Sequence, residues 1–125
     1  MKKKSNIRFV FLAVFLGVLW PIFGAPITGF CLCSICCGRQ ASGINAAGKK
    51  PVQGVSIAAS RSIPLGSVVK IDGIKNRFIV DDRTAKRFDG RFDIFFNSHQ
   101  EAKKFGIKNL KVEIEPQNKN RKPLK

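Results

Sequence analysis

The second half of the chain is cut into short alternating runs, each closed by a turn signal, and this limits the fold more than any other feature. Residues 67–72 set Val69 and Ile71 against Val68, Lys70 and Asp72, the two-residue period of a strand. Asp72-Gly73 follows as a hairpin-type turn, and residues 77–81 read as the next strand. Residues 92–96 form a third. Leu110, Val112 and Ile114 alternate with Lys111, Glu113 and Glu115 until Pro116 ends the run. Upstream, residues 54–59 are short and β-compatible, and Ile63-Pro64-Leu65-Gly66 is a turn signal: proline fixes φ and glycine permits φ > 0. Only one stretch changes character. Ser98 followed by Glu101 is a capping box, opening a short helix that ends at Gly106. Residues 25–50, rich in Gly, Cys, Ser and Ala, read as loop and extended chain, and 84–90 as a loop. Several short strands with one short helix predict a mainly β fold, a small closed barrel rather than a sandwich.

A chain of 125 residues holds one small domain, which excludes multidomain and Rossmann-type enzymes. Lys2, Lys3, Lys4 and Arg8 precede a run, residues 9–23, that is apolar but for Gly17 and Pro21. A basic start, a short apolar stretch and the small residues Gly24-Ala25 read as a secretory signal peptide over residues 1–24. The run is short for a membrane span, which takes about 20 apolar residues; an uncleaved N-terminal membrane anchor is the alternative. Removing residues 1–24, with four cations and no acid, lowers the net charge from +15 to +11. An exported protein of this charge, in the periplasm, outer envelope or cell wall, faces anionic polymers. Residues 25–115 then form the domain and 116–125 a basic disordered tail.

Cys31, Cys33, Cys36 and Cys37 are all the cysteines of the chain. Outside the cytoplasm disulfides are the first expectation, with three pairings open to four cysteines. Zinc held by all four thiolates and free thiols are the alternatives. His99, the only histidine, lies in the first turn of the helix and reads as structural or solvent-facing.

All eight acids lie at or after Asp72, so carboxylate chemistry belongs to the second half. Asp82 ends one strand, and Asp93 is embedded in another between Phe92 and Ile94. Aspartate is depleted in strands. Two readings of Asp93 follow: an acid whose apolar setting keeps its proton for general acid chemistry, or an ion pair with Arg77, Arg83 or Arg91.

Residues 28–114 resemble the 3D (Asp-Asp-Asp) domain family, exported bacterial wall proteins related to the C-terminal region of membrane-bound lytic transglycosylase A. The resemblance lies in an ordered set of motifs. Thr28-Gly29-Phe30-Cys31-x-Cys33-x-x-Cys36-Cys37-Gly38 is similar to the family's opening. Ala41-Ser42-Gly43-Ile44-Asn45-Ala46-Ala47-Gly48 and Ile63-Pro64-Leu65-Gly66-Ser67 follow it. Asp82 and Asp93 keep the family's spacing, and Ser98-His99-x-Glu101-Ala102 with Phe105-Gly106 matches its helix. The resemblance implies a six-stranded double-psi β-barrel, barwin-like, with one or two short helices. It implies Asp93 as catalytic acid/base with Asp82 in the same cleft, and Arg83, Thr84 and Arg91 on the substrate. Two departures stand out. Ala59 occupies the position of the family's first Asp, and Arg83-Thr84-Ala85 replaces its Thr-Gly-Gly.

The activity implied is that of a lytic transglycosylase acting on peptidoglycan. A noncatalytic wall-binding module on the same fold is the alternative, favoured by the two departures. A basic nucleic-acid binder is a third class, disfavoured by the leader and by the lack of Tyr and Trp stacking residues after it. The expectation is a monomer with no cofactor and no metal among its site residues, whose partner is peptidoglycan or another anionic envelope polymer.

Overall fold

The computed structural model describes residues 22–38, 42–117, 119 and 120. The expected closed, six-stranded barrel is present, in the order β1-β5-β2-β4-β3-β6. Its strands are β1 (Ile22–Phe30), β2 (Ser56–Ala59), β3 (Val68–Ile71), β4 (Arg77–Arg83), β5 (Phe92–Phe95) and β6 (Lys108–Glu115). Two short helices complete it, α1 (Ser34–Cys37) and α2 (His99–Phe105), with a 3-10 turn at Lys86–Phe88. Among the described residues no helix is long and apolar enough to cross a membrane.

The alternation seen in the sequence sorts the strands. Ala25, Ile27, Ile57, Ala59, Val69, Ile71, Phe78, Val80, Phe92, Ile94 and Val112 fill the barrel interior. Gly73, with φ 80°, makes the turn between β3 and β4. Ser98 caps α2 as read, its hydroxyl accepting from the Glu101 N–H at 3.2 Å, and Gly106 closes it with φ 69°. Two parallel pairings, β1 with β5 and β2 with β4, interlock the halves of the chain.

β1 is the element the sequence did not announce. Its alternation is interrupted by Gly24, Pro26 and Gly29, and its start merges with the apolar run before it. Residues 1–21 of the expected leader lie outside the described residues. Ile22, Phe23 and Gly24, assigned to the leader's end, pair here with Glu113, Val112 and Lys111 of β6. Of the expected tail, residues 118 and 121–125 also lie outside the described part.

Candidate functional site

The strand registers bring the two expected acids together. Ala58 in β2 is paired with Asp82 of β4 on one side and with Asp93 of β5 on the other. Asp93 is paired in turn with Thr28 of β1. Laterally paired residues project to the same side of a sheet, so Thr28, Asp93, Ala58 and Asp82 form one row across four strands. The row faces away from the core, because Ile57, Ala59, Phe92 and Ile94, which alternate with it, fill the interior. A bulge between Ile57 and Ala58 shifts the β2–β4 register and puts Asp82 rather than Asp81 opposite Ala58.

Asp93, Ala58 and Asp82 of this row line a cleft of about 420 Å³, which also takes in Arg61, Arg83, Thr84, Arg87, Phe88, Arg91, Phe30, Cys36 and Cys37. The small side chain of Ala58 leaves the space between the carboxylates open. A larger hollow, about 610 Å³, lies at the β3–β4 turn and is lined by Lys70, Lys75, Arg77 and Lys111 beside Asp72 and Glu113. It joins no acid to an opposing acid across a strand row, so the smaller cleft is the better chemical candidate.

Each acid has a defined partner. Thr28 Oγ1 donates to Asp93 Oδ1. Arg91 Nη2 donates to Asp93 Oδ2 at 3.2 Å, and Arg91 Nε lies 2.8 Å from Oδ1, though too far off line for a hydrogen bond. Of the two readings of Asp93, the ion pair is therefore the one found, with Arg91 as the partner. The apolar setting does not surround the carboxyl, because Phe92 and Ile94 point to the other side of β5. Asp82 Oδ1 accepts from the backbone N–H of Ala46 at 3.1 Å and of Arg83 at 2.9 Å, which ties the loop after the cysteines to the cleft floor.

The residues expected on the substrate divide. Arg91 stacks over Phe88, its guanidinium carbon 3.8 Å from the ring centre, and Arg87 covers the same ring at 4.7 Å. Arg83 is spent internally: its Nη1 donates to the carbonyls of Ser60 and Ile63, holding the turn before β3. Thr84 is buried, with its N–H donating to the Ala59 carbonyl at 3.1 Å. Its hydroxyl has no hydrogen-bond partner among the described residues.

Ala59 lies in the core with no exposed surface, and the cleft-facing neighbour is Ala58, so neither position supplies a third acid. Asp81 and Asp89 stay out of the cleft lining. Asp81 turns to Ser56, which donates to its Oδ2 at 2.6 Å. Burial raises the Asp81 pKa above the ordinary range, against the opposing effect of that hydrogen bond, with the neighbouring Asp82 charge raising it further.

The cysteines form the second constellation. The expected disulfides are not formed: Cys31, Cys33, Cys36 and Cys37 are all free. The physical reason is that three of them turn to a common centre rather than to one another in pairs. Cys31 Sγ lies 3.0 Å from Cys33 Sγ and 3.4 Å from Cys36 Sγ. Cys33 and Cys36 are three apart around the one turn of α1 and so face the same way. Cys37 turns aside, its thiol donating to the Cys31 carbonyl at 3.0 Å. The fourth group at the centre is His99, whose Nδ1 lies 4.0, 3.5 and 3.4 Å from the sulfurs of Cys31, Cys33 and Cys36. Burial pushes the Cys31 thiol up to about 12, helped by its bond to Cys33. Cys33 falls to about 6, chiefly because Cys31 donates to its sulfur.

Sequence reasoning placed His99 in a capping box and stopped there. Its neighbours in space are more than sixty residues away in sequence, and the pairing of β1 with β5 and the seating of α2 on β1 bring them together. The signal available was that a cysteine-rich motif and a lone histidine share one small domain. The chain matches no protein-family model and no curated protein.

Proposed function

We propose that this chain is an exported protein of the 3D type that cleaves peptidoglycan as a lytic transglycosylase, with Asp93 as acid/base. The observation that carries the reading is the strand row that sets Asp93 and Asp82 on either side of Ala58, on the floor of an arginine-lined cleft. The substrate class comes from the ordered motifs shared with that family. The cationic lining suits a polymer bearing carboxylates, and Arg61 and Arg87 have no ion-pair partner among the described residues.

The chemistry asks for one carboxyl group in two states, whereas hydrolytic glycosidases usually use a pair of carboxyl groups. Asp93 gives its proton to the glycosidic oxygen between MurNAc and GlcNAc as that bond to the anomeric carbon breaks. The resulting carboxylate takes the proton of the MurNAc 6-hydroxyl, whose oxygen closes on the anomeric carbon. The product is a 1,6-anhydro sugar, no water is consumed, and Asp93 ends protonated as it began. Thr28 fixes the rotamer of Asp93 during both transfers. Arg91 occupies the carboxylate in the free protein, so a productive complex draws the guanidinium away, onto a carboxylate of the wall peptide or lactyl group, and Asp93 takes up a proton from solvent before the first transfer. Asp82, tethered to Ala46, offers negative charge to the developing oxocarbenium ion.

A noncatalytic wall-binding module is the second reading. It is favoured by the Arg91–Asp93 pair and by alanine at both positions 58 and 59. Mass spectrometry of purified peptidoglycan after incubation with the protein separates the two. Release of 1,6-anhydro muropeptides, lost in Asp93→Asn, supports the transglycosylase. Sedimentation with the wall polymer without soluble product supports the module, and reducing ends formed by water addition would overturn the single-carboxylate mechanism.

A further inference from the structure

We propose that Cys31, Cys33, Cys36 and His99 form a structural zinc site that fastens the loop after β1 to the first turn of α2. The four residues offer one ligand atom each, and these atoms all lie within 4.8 Å of one another. Zinc bound at about 2.3 Å to sulfur and about 2.0–2.1 Å to nitrogen in a tetrahedron sets its ligands about 3.5–3.8 Å apart. Five of the six separations run from 3.0 to 4.0 Å and the sixth, between Cys33 and Cys36, stays within 4.8 Å, so an ion enters with side-chain shifts of up to about 1 Å.

The donor set decides the metal class. Three thiols and an imidazole are ligands for zinc and other thiophilic transition ions, whereas calcium and magnesium demand oxygen. The thiols lose their protons as they bind. Four protein ligands fill a tetrahedron and leave no place for water or substrate, which marks the site as structural. Cys37 is excluded by its own bond to the Cys31 carbonyl.

The consequence is mechanical. The ligands come from two places 63 to 68 residues apart, joined otherwise through the pairing of β1 with β5 and the packing of α2 on β1. The clamped segment carries Cys36 and Cys37, which form part of the lining of the cleft that holds Asp82 and Asp93. The site therefore fixes one wall of that cleft, whatever polymer the cleft takes.

The test uses the full chain, purified with a phosphine reductant. Metal analysis is expected to find about one zinc per chain. Replacing zinc with Co²⁺ is expected to give thiolate-to-cobalt charge-transfer absorption and the strong visible bands of a tetrahedral site. Cys36→Ser and His99→Ala lose the metal, His99→Cys keeps it with an altered cobalt spectrum, and Cys37→Ser keeps both the zinc and the parent spectrum. Failure of the reduced chain to bind zinc or cobalt overturns the proposal. So does retention of the parent spectrum in His99→Ala, or loss of metal in a folded Cys37→Ser. If Cys36→Ser does not fold, the parent cobalt spectrum and Cys37→Ser decide between the outcomes.

Discussion

At the scale of single residues, Gly29 decides how close α2 comes to β1. A Cβ at this position would lie 2.8 Å from the Phe96 ring and 3.1 Å from the Ala102 Cα. Phe96 has the Phe105 ring beside it, centroids 5.5 Å apart, so the ring has little room to move, and the Ala102 contact is backbone. Over-packing of this kind costs about 1–3 kcal/mol. Gly29→Ala is expected to lower stability by that amount in denaturant unfolding, and to weaken metal uptake because His99 is carried outward with the helix. An unchanged unfolding midpoint would mean that α2 is not seated through Gly29.

Asp81 makes a second residue-scale prediction, on pH. Its pKa is raised in the folded state by burial, so the folded chain holds the proton to higher pH than the unfolded chain. Stability from this group is complete below the unfolded value near 4 and declines as pH rises through the raised folded value. In Asp81→Asn that decline is absent. Urea unfolding at a series of pH values from 3 to 7 is expected to show a less negative slope for the variant, and identical slopes would exclude Asp81 as the source.

At the scale of elements, β1 has the most to reveal. Phe23 packs on Phe92 with ring centroids 6.2 Å apart, and residues 22–24 extend the pairing with β6. A chain starting at Ala25 loses both. It is expected to be less stable than one starting at Ile22 by about 1–2 kcal/mol, a part of what full burial of a large apolar side chain is worth, since Phe23 stays 38% exposed, read from thermal or urea unfolding of the two. Equal stability would show that the barrel closes without those residues.

The same element shows what the sequence could and could not say. β3, β5 and β6 were legible because a two-residue period survives along them, and α2 because Ser98 and Gly106 punctuate it. β1 was not, because glycine and proline interrupt its period while strands from the far end of the chain hold it in place. The acids were legible as odd residues in a strand, but not their partner: that Arg91 rather than Arg77 or Arg83 meets Asp93 depends on where each side chain is already engaged. Arg83 holds a turn, and Arg77 donates to Glu115. The disulfide expectation failed for a related reason, since local spacing in a cysteine motif carries no information about a histidine brought in by tertiary packing.

At the scale of the whole molecule, Glu115 ties three strands together. It is the last residue of β6, and its carboxylate meets Lys70 of β3 and Arg77 of β4, each at 2.8 Å. Its side chain is 3% exposed while both cations are partly open to solvent. Removing one partner of a buried pair costs about 3–5 kcal/mol. With the cations left free to hydrate, Glu115→Ala is expected to cost about 2–3 kcal/mol in equilibrium unfolding, and a cost below about 0.5 kcal/mol, the scatter of neutral surface changes, would show the network to be passive.

Closure of the ring has a consequence in time. β1 borders only β5 and β6, so the first strand made waits for the last two before it has any neighbour. Pairings between chain ends are slow to form, in the range of milliseconds to seconds for small β-barrels. Until residues 108–115 have emerged the ring has no way to shut, although β2, β3, β4 and β5 already have one another to pair with. For a protein exported as proposed, that delay is useful: a channel that passes only unfolded chain meets a barrel that is unable to close before β6 has been made.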